Sequence, residues 1–433
     1  MKKSLKTITT ILLVVTMVSC SNQGQKEESM LKEEKTAADI LGDPNYLAIS
    51  YGGYRTKTRD TQPTITQLKN DLKIMAAIGI KVLRTYNVQL PHATNVVKAI
   101  HELKQEDPNF EMYVMLGAWI DCKNAWTGQE PDHNVESEQN ADEIARAVKL
   151  TNEFPDIIKV IAVGNEAMVK WATSYFVQPG VILKWVKHLQ GLKESGGLPK
   201  DLWVTSSDNF ASWGGGGSEY HVPDLNELIT EVDFISLHTY PMHDTHYNPV
   251  FWGLTESDLL LSKEEQVEEL MKRALGYAQS QYNSVKNYAE NLGISKPIHI
   301  GETGWASVDS NNHHYGTSGS KATDEYKEAV YYRMMREWTN SENIACFYFE
   351  AFDEPWKDPN NSKGSENHFG LFTLNGKAKY AVWDEVDAGS FDNLTRNGNS
   401  IVKTYGGNLD SLLNEVVLPP TKPEIIVEYQ PVQ

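Results

Sequence analysis

The sequence predicts an α/β fold, a (β/α)8 TIM barrel forming a single domain with long mouth loops. Eight short apolar runs recur along the chain, helical periods lie between them, and no Gly-rich phosphate fingerprint follows the first run. The first two observations point to parallel strands covered by helices, and the third argues against an open doubly wound sheet.

The expected strands are Tyr46 to Tyr51, Lys81 to Tyr86, Met112 to Ala118, Ile157 to Val163, Leu202 to Ser206, Val232 to His238, Pro297 to Gly301 and Ile344 to Glu350. Between them, Thr64 with Gln67 makes a capping box ahead of Leu68, Leu72, Met75 and Ile78, and Gly79 stands where a helix stop is wanted. The next helix begins after Pro91 and repeats as Ala93, Val96, Val97, Ile100 and Leu103. Another follows Tyr326, Val330, Met334 and Trp338. The excess length sits after strands, in Trp119 to His133, Phe210 to Val222, Met242 to Ser262 and Ala306 to Thr323. In a barrel those segments build the active-site face.

Four segments are expected. Residues 1–19 read as a signal peptide: Lys2, Lys3 and Lys6 precede Ile11-Leu12-Leu13-Val14-Val15, an apolar run too short to span a bilayer. Its ending, Met17-Val18-Ser19-Cys20, resembles the lipobox of bacterial lipoproteins, with Met17 where Leu is usual. That resemblance implies cleavage before Cys20, a lipid anchor on it, and a place in the bacterial cell envelope at the outer membrane. Ordinary secretion is the alternative. Residues 20–42 form a polar tether, 43–395 the barrel, and 396–433 an extension marked by Leu418-Pro419-Pro420.

The chain has 433 residues, 40% hydrophobic and 10% aromatic, enough for a large core. Lys plus Arg is 40 against 58 Asp plus Glu, a formal charge of −18 that repels nucleic acid and anionic headgroups. A neutral partner is expected, and some of the eleven Trp and twenty Tyr could stack on sugar rings while most serve as core. Three cysteines exclude a disulfide framework, and Cys122 and Cys346 read as buried free thiols. His243-Asp244-Thr245-His246 and His313-His314 lack the helical spacing of a catalytic zinc site, so neither a metal nor a cofactor is expected.

Two strand ends carry a carboxylate. Val163-Gly164-Asn165-Glu166 ends the fourth run and Gly301-Glu302-Thr303-Gly304-Trp305 the seventh. Strands four and seven face each other across a barrel mouth, so the two side chains can approach to the roughly 5 to 5.5 Å of a retaining glycosidase. Ala162 and Gly164 share the alternation parity of Glu166 and are expected to leave room beneath it. Arg84 and Tyr86 share parity on strand two: either they enter the mouth, Arg84 holding Glu302 ionised and Tyr86 facing a sugar, or they fill the barrel interior.

With Phe347-Tyr348-Phe349-Glu350-Ala351-Phe352-Asp353-Glu354-Pro355-Trp356-Lys357 and Phe369-Gly370-Leu371-Phe372, these motifs resemble glycoside hydrolase family 17, the β-1,3-glucanases. The resemblance runs from about Tyr46 to Asp384. It departs from plant members at Ala306, where they have Pro, and at Asp353, where they have Asn. It implies that Glu166 is the general acid and base, Glu302 the nucleophile, Asn165 a partner of the sugar 2-OH, and Tyr240 the tyrosine that orients the nucleophile. Glu354 and Lys357 match an acidic and basic pair near the site, or form a structural salt bridge. Trp305, Phe352 and Phe369 are candidate sugar platforms or core. The expected activity is endo-acting hydrolysis of laminarin-like β-1,3-glucan by a monomer. The alternatives are a β-1,3-glucanosyltransferase and an inactive glycan-binding lipoprotein.

Overall fold

Eight parallel strands close into a barrel among the residues that the computed structural model describes, 34–309 and 319–428. They are β1 (Leu47–Ser50), β2 (Ile80–Arg84), β3 (Tyr113–Ala118), β4 (Ile158–Asn165), β5 (Trp203–Asn209), β6 (Ile235–His238), β7 (Ile298–Thr303) and β8 (Cys346–Tyr348). Each pairs with its neighbours in sequence, and β1 closes the ring on β8 through Ile49 and Tyr348. Between them run α1 (Ile65–Ala77), α2 (Pro91–Glu106), α3 (Gln139–Glu153), α4 (Pro179–Ser195), α5 (Pro223–Glu231), α6 (Lys263–Asn291) and α7 (Glu325–Ser341). This is the (β/α)8 fold that the sequence predicts. The signal peptide, Cys20 with most of the tether, His313-His314 and the last five residues lie outside the described residues.

Local chemistry accounts for the element ends. The Thr64 hydroxyl accepts from the Gln67 N–H at 3.2 Å and the Gln67 side chain accepts from the Thr64 N–H at 3.0 Å, fixing the start of α1. Pro91 is itself the first helical residue of α2, where its missing N–H costs nothing. Alternation then sorts the strand side chains. Val82, Met115, Val160, Ala162, Phe234 and Phe347 form one inner cluster, which Ala37, Ile40, Leu41 and Tyr46 join, so the tether expected over residues 20–42 is corrected to end before the helical turn Ala37–Ile40. Leu83, Leu116, Ile161, Val204, Leu237 and Ile300 pack instead with helix residues such as Leu68, Ile100 and Ile182.

The strand register shifts at several places round the barrel, and two of the shifts precede a glutamate. Ala162 pairs with Thr205 but Asn165 with Ser207, so one extra residue bulges from β4. Leu237 pairs with Ile300 but His238 with Glu302, so β7 bulges at Gly301. A bulge re-aims the side chains that follow it. Gly164 therefore does not lie under Glu166 as parity predicts. It sits at φ +83°, and a Cβ there would meet Ala167 and Ile182 at 2.9 and 3.1 Å, on the helix side of the strand. Ala162 stays inside as expected.

The chain beyond β8 folds back over the barrel. Arg396, fully buried, pairs with Asp71 of α1 at 3.1 Å, and Asp71 also accepts from the Tyr51 hydroxyl at 2.9 Å. Farther on, Leu254 and Thr421 form a parallel bridge, with the Leu254 N–H donating to Pro420 at 3.0 Å and the Lys422 N–H to Leu254 at 2.8 Å. The proline-marked extension thus packs on the long loop after β6. Cys122 and Cys346 are buried free thiols.

Candidate active site

At the C-terminal ends of the strands lies a cavity of about 540 Å³ whose lining includes Glu166, Glu302, Tyr240, His243, Trp171 and Phe369. The two carboxylates are set in very different surroundings. Arg84, fully buried at the end of β2, forks between Glu302 and Asn165: one guanidinium nitrogen pairs with Glu302 Oε2 and donates to the Gly301 carbonyl at 3.0 Å, and the other donates to Asn165 Oδ1. The Tyr86 hydroxyl donates to Glu302 Oε2 at 2.9 Å and the Tyr240 hydroxyl to Oε1 at 2.6 Å. Burial alone would raise the Glu302 pKa. The Arg84 charge and the two phenols outweigh it and hold the carboxyl below its ordinary range.

Glu166 has no cation of its own. It sits at φ +45° just past the β4 bulge, its N–H held by the Ser207 carbonyl at 2.9 Å, a backbone conformation that few residues other than glycine adopt. Its Oε1 lies 3.0 Å from His238 Nδ1, and His238 Nε2 lies 2.7 Å from the Ser207 hydroxyl. Burial pushes the His238 pKa down to about 4, so the ring is neutral near pH 7 and leaves the glutamate without a compensating charge. Burial first, then the charge of Glu302, raise the Glu166 pKa well above the usual carboxylate range. The glycine at 301 makes this packing possible. A Cβ there would stand 2.0 Å from Ser236 Oγ and 2.6 Å from Ser207 Oγ.

The structure thus brings Glu166, Asn165, Arg84, Tyr86, Tyr240 and Glu302 together. Phe369 is nearly sealed, 1% exposed, yet its edge lines the cavity beside Phe349 and Tyr240. Four other expected residues stand apart. Trp305 is fully buried, its indole N–H donates to the Ala322 carbonyl at 2.9 Å, and Trp252 and Tyr331 pack on it at 5.6 and 5.0 Å. Phe352 has Phe372 stacked at 5.2 Å and the Arg396 guanidinium 4.0 Å from its ring centre. Neither has a face left for a sugar, so both are corrected from platform to core. Glu354 is buried and accepts from the Tyr54 N–H at 2.9 Å and the Trp356 indole at 2.7 Å. Lys357 pairs with Glu350 and lies 3.6 Å from Glu354. These two are corrected from substrate binding to a structural charge cluster behind the cavity wall.

Sequence reasoning missed His238, Trp171 and Glu366. His238 was legible, since it shares inward parity with Ser236 and stands two residues before Tyr240 on the same motif. Trp171, 57% exposed, and Glu366, pushed up to about 7 by burial, come from loops without periodic pattern. Among the described residues no group of three His, Cys, Asp or Glu is arranged to hold a metal ion. His243 faces the cavity against Tyr240 and Phe369, and Asp244 accepts from Asn248 and Gln281.

The profile of the BtgE/BtgC glycoside hydrolase domain matches residues 48–370. The chain belongs to this family. Among solved structures it is similar to an endo-laminarinase from Formosa Hel1_33_131, with 66% identity, a TM-score of 0.88, and coverage of 89% of this chain and 98% of that one. It shares its fold with an active-site mutant of a Rhizomucor miehei β-1,3-glucanosyltransferase in complex with laminaritriose, at 19% identity and a TM-score of 0.50, covering 83% of this chain and 98% of that one. A probable glucan endo-1,3-beta-glucosidase, btgC, of Aspergillus flavus is 22% identical over 84% of this chain. The chain spans about half of that relative, 47% of its length.

Proposed function

We propose that the chain is an endo-acting, retaining β-1,3-glucanase of glycoside hydrolase family 17, exported to the bacterial cell envelope and held there by a lipid on Cys20. The observation that carries the reading is the inequality of the two carboxylates in one cavity. Glu302 is ionised by Arg84, Tyr86 and Tyr240, and Glu166, beside a neutral imidazole, keeps its proton. The likeness to the Formosa endo-laminarinase supports laminarin as the substrate.

The chemistry follows from those two states. Glu302 attacks the anomeric carbon of the sugar on one side of the scissile bond, and its C–O bond to the carbon forms as the glycosidic C–O bond breaks. Oε1, with one hydrogen bond against two on Oε2, keeps the freer lone pair for the attack. The proton on Glu166 passes to the departing glycosidic oxygen. Glu166, now a carboxylate, takes a proton from water, whose oxygen displaces Glu302 from the same carbon. Two inversions leave the β configuration unchanged. In this reading Asn165, oriented by Arg84, bonds the sugar 2-OH.

Incubation of purified protein with laminarin tests this. Expected are reducing ends appearing as oligosaccharides of intermediate length before glucose, β-anomers seen first by NMR, and loss of at least about 10³-fold in kcat for Glu302→Gln. No release of reducing sugar, or near-normal hydrolysis by that variant, refutes it.

A further inference from the structure

The loops that follow β3 and β4 carry aromatic surface that the chemistry above does not use. Trp126 is 63% exposed and adopts φ +60°, a left-handed conformation that is an outlier for a bulky side chain. Its ring lies on Tyr175, with centroids 5.0 Å apart and planes 23° from parallel, and Trp119 leans on both at 6.4 and 5.3 Å. The two loops are knitted to each other. The Cys122 N–H donates to the Tyr175 carbonyl at 3.1 Å, the Gln178 N–H donates to the His133 carbonyl at 3.1 Å, and the His133 ring stacks on Phe176 at 3.6 Å. The stack is therefore ordered before any ligand arrives, which spares binding the entropy of fixing it. Tyr175 lies four residues past Trp171, and Trp171 lines the same cavity as Glu166 and Glu302.

We propose that Trp126, backed by Tyr175, is a distal platform on which a β-1,3-glucan chain leaving the cavity past Trp171 stacks its sugar rings. This rests on the reading of the chain as a β-1,3-glucanase and extends it from the cleaved bond to the substrate's length. An exposed indole on a strained backbone adds little to a core, so folding stability does not account for it. A pyranose ring offers an apolar C–H face that matches an indole face. Asp121, Glu130 and Asp132 against the single Lys123 leave this loop net acidic, which disfavours an anionic polysaccharide and suits a neutral one.

The test compares Trp126→Ala and Trp126→Phe with the unaltered protein on laminarin and on laminaritetraose. The ratio of kcat/KM for laminarin to that for laminaritetraose is expected to fall about 2- to 10-fold in Trp126→Ala, through KM rather than kcat, and to be largely restored in Trp126→Phe. Equal loss on both substrates, or no loss on either, overturns the platform. If the unaltered protein does not hydrolyse laminarin, the functional reading fails instead. Electrophoresis through laminarin-containing gels then still reads the platform: weaker retardation of Trp126→Ala supports it, and equal retardation overturns it.

Discussion

Replacing Arg84 by Met removes the guanidinium and keeps an unbranched apolar side chain of similar reach in the barrel. Three contacts vanish together: the ion pair with Glu302, the bond to the Gly301 carbonyl and the bond to Asn165. Stranding one partner of a buried pair costs about 3–5 kcal/mol. Tyr86 and Tyr240 still donate to the carboxylate, so not all of that cost falls on its ionisation. At 1.36 kcal/mol per pKa unit, a rise of about 2 to 3 units in the Glu302 pKa is expected. The sign follows from the roles proposed above for the two carboxyls. Glu302 acts when ionised, so activity is present above its pKa and is lost as pH falls through it. Glu166 acts when protonated, so activity is lost as pH rises through its raised pKa. The Arg84 charge depresses both, and its removal moves the whole bell towards alkaline pH. The assay is kcat/KM on laminarin across pH 3 to 10, which reports the free enzyme, with thermal unfolding as the check on folding. Arg84→Lys, which keeps the charge and loses the fork, should shift the acid limb less. An acid limb that stays in place in a folded Arg84→Met protein refutes the electrostatic account of Glu302.

Two further outcomes are expected. Trp305→Phe strands the Ala322 carbonyl in the core and should lower unfolding free energy by about 1–3 kcal/mol in urea titration while KM for laminarin stays put; a several-fold higher KM at unchanged stability would restore Trp305 as a sugar platform. Expressed in a bacterial host, Cys20→Ser should move the protein from the membrane fraction to the soluble one and abolish labelling by radioactive palmitate, and persistence of both would eliminate the anchor.

The barrel was legible because its signals are local. Eight apolar runs, the Thr64 box and the stop at Gly79 are each decided within a few residues, and tertiary packing agrees with them. What parity counting missed lies at two single positions. The residue added to β4 at Gly164 and the one added to β7 at Gly301 leave no mark in an alternation pattern, because the pattern simply stops where polar residues begin. The same polarity hid the end of β5: the expected strand stops at Ser206, although Ser207, Asp208 and Asn209 continue it. Phe352 and Trp305 were misread for a related reason. An aromatic residue next to a catalytic motif looks the same in sequence whether its faces are open or taken, and here Arg396, more than forty residues past Phe352, takes one.

The division of labour between the two glutamates shows how far a motif carries the chemistry. Glu166 and Glu302 are the same residue, each ends a strand, and each follows a bulge containing glycine. Local sequence therefore gives no reason for one to hold a proton and the other to lose it, and resemblance alone supplied the assignment. In the structure the difference comes from elsewhere in the ring: an arginine on β2, a tyrosine just past β2 and another just past β6 all converge on Glu302, while β6 presents to Glu166 a histidine that burial keeps neutral. Their different neighbours set the two protonation states, while the strand each glutamate ends sets which side of the scissile bond it faces. The closed barrel is what lets β2 and β6 act on β4 and β7 at once, since strands far apart in the chain meet at one mouth.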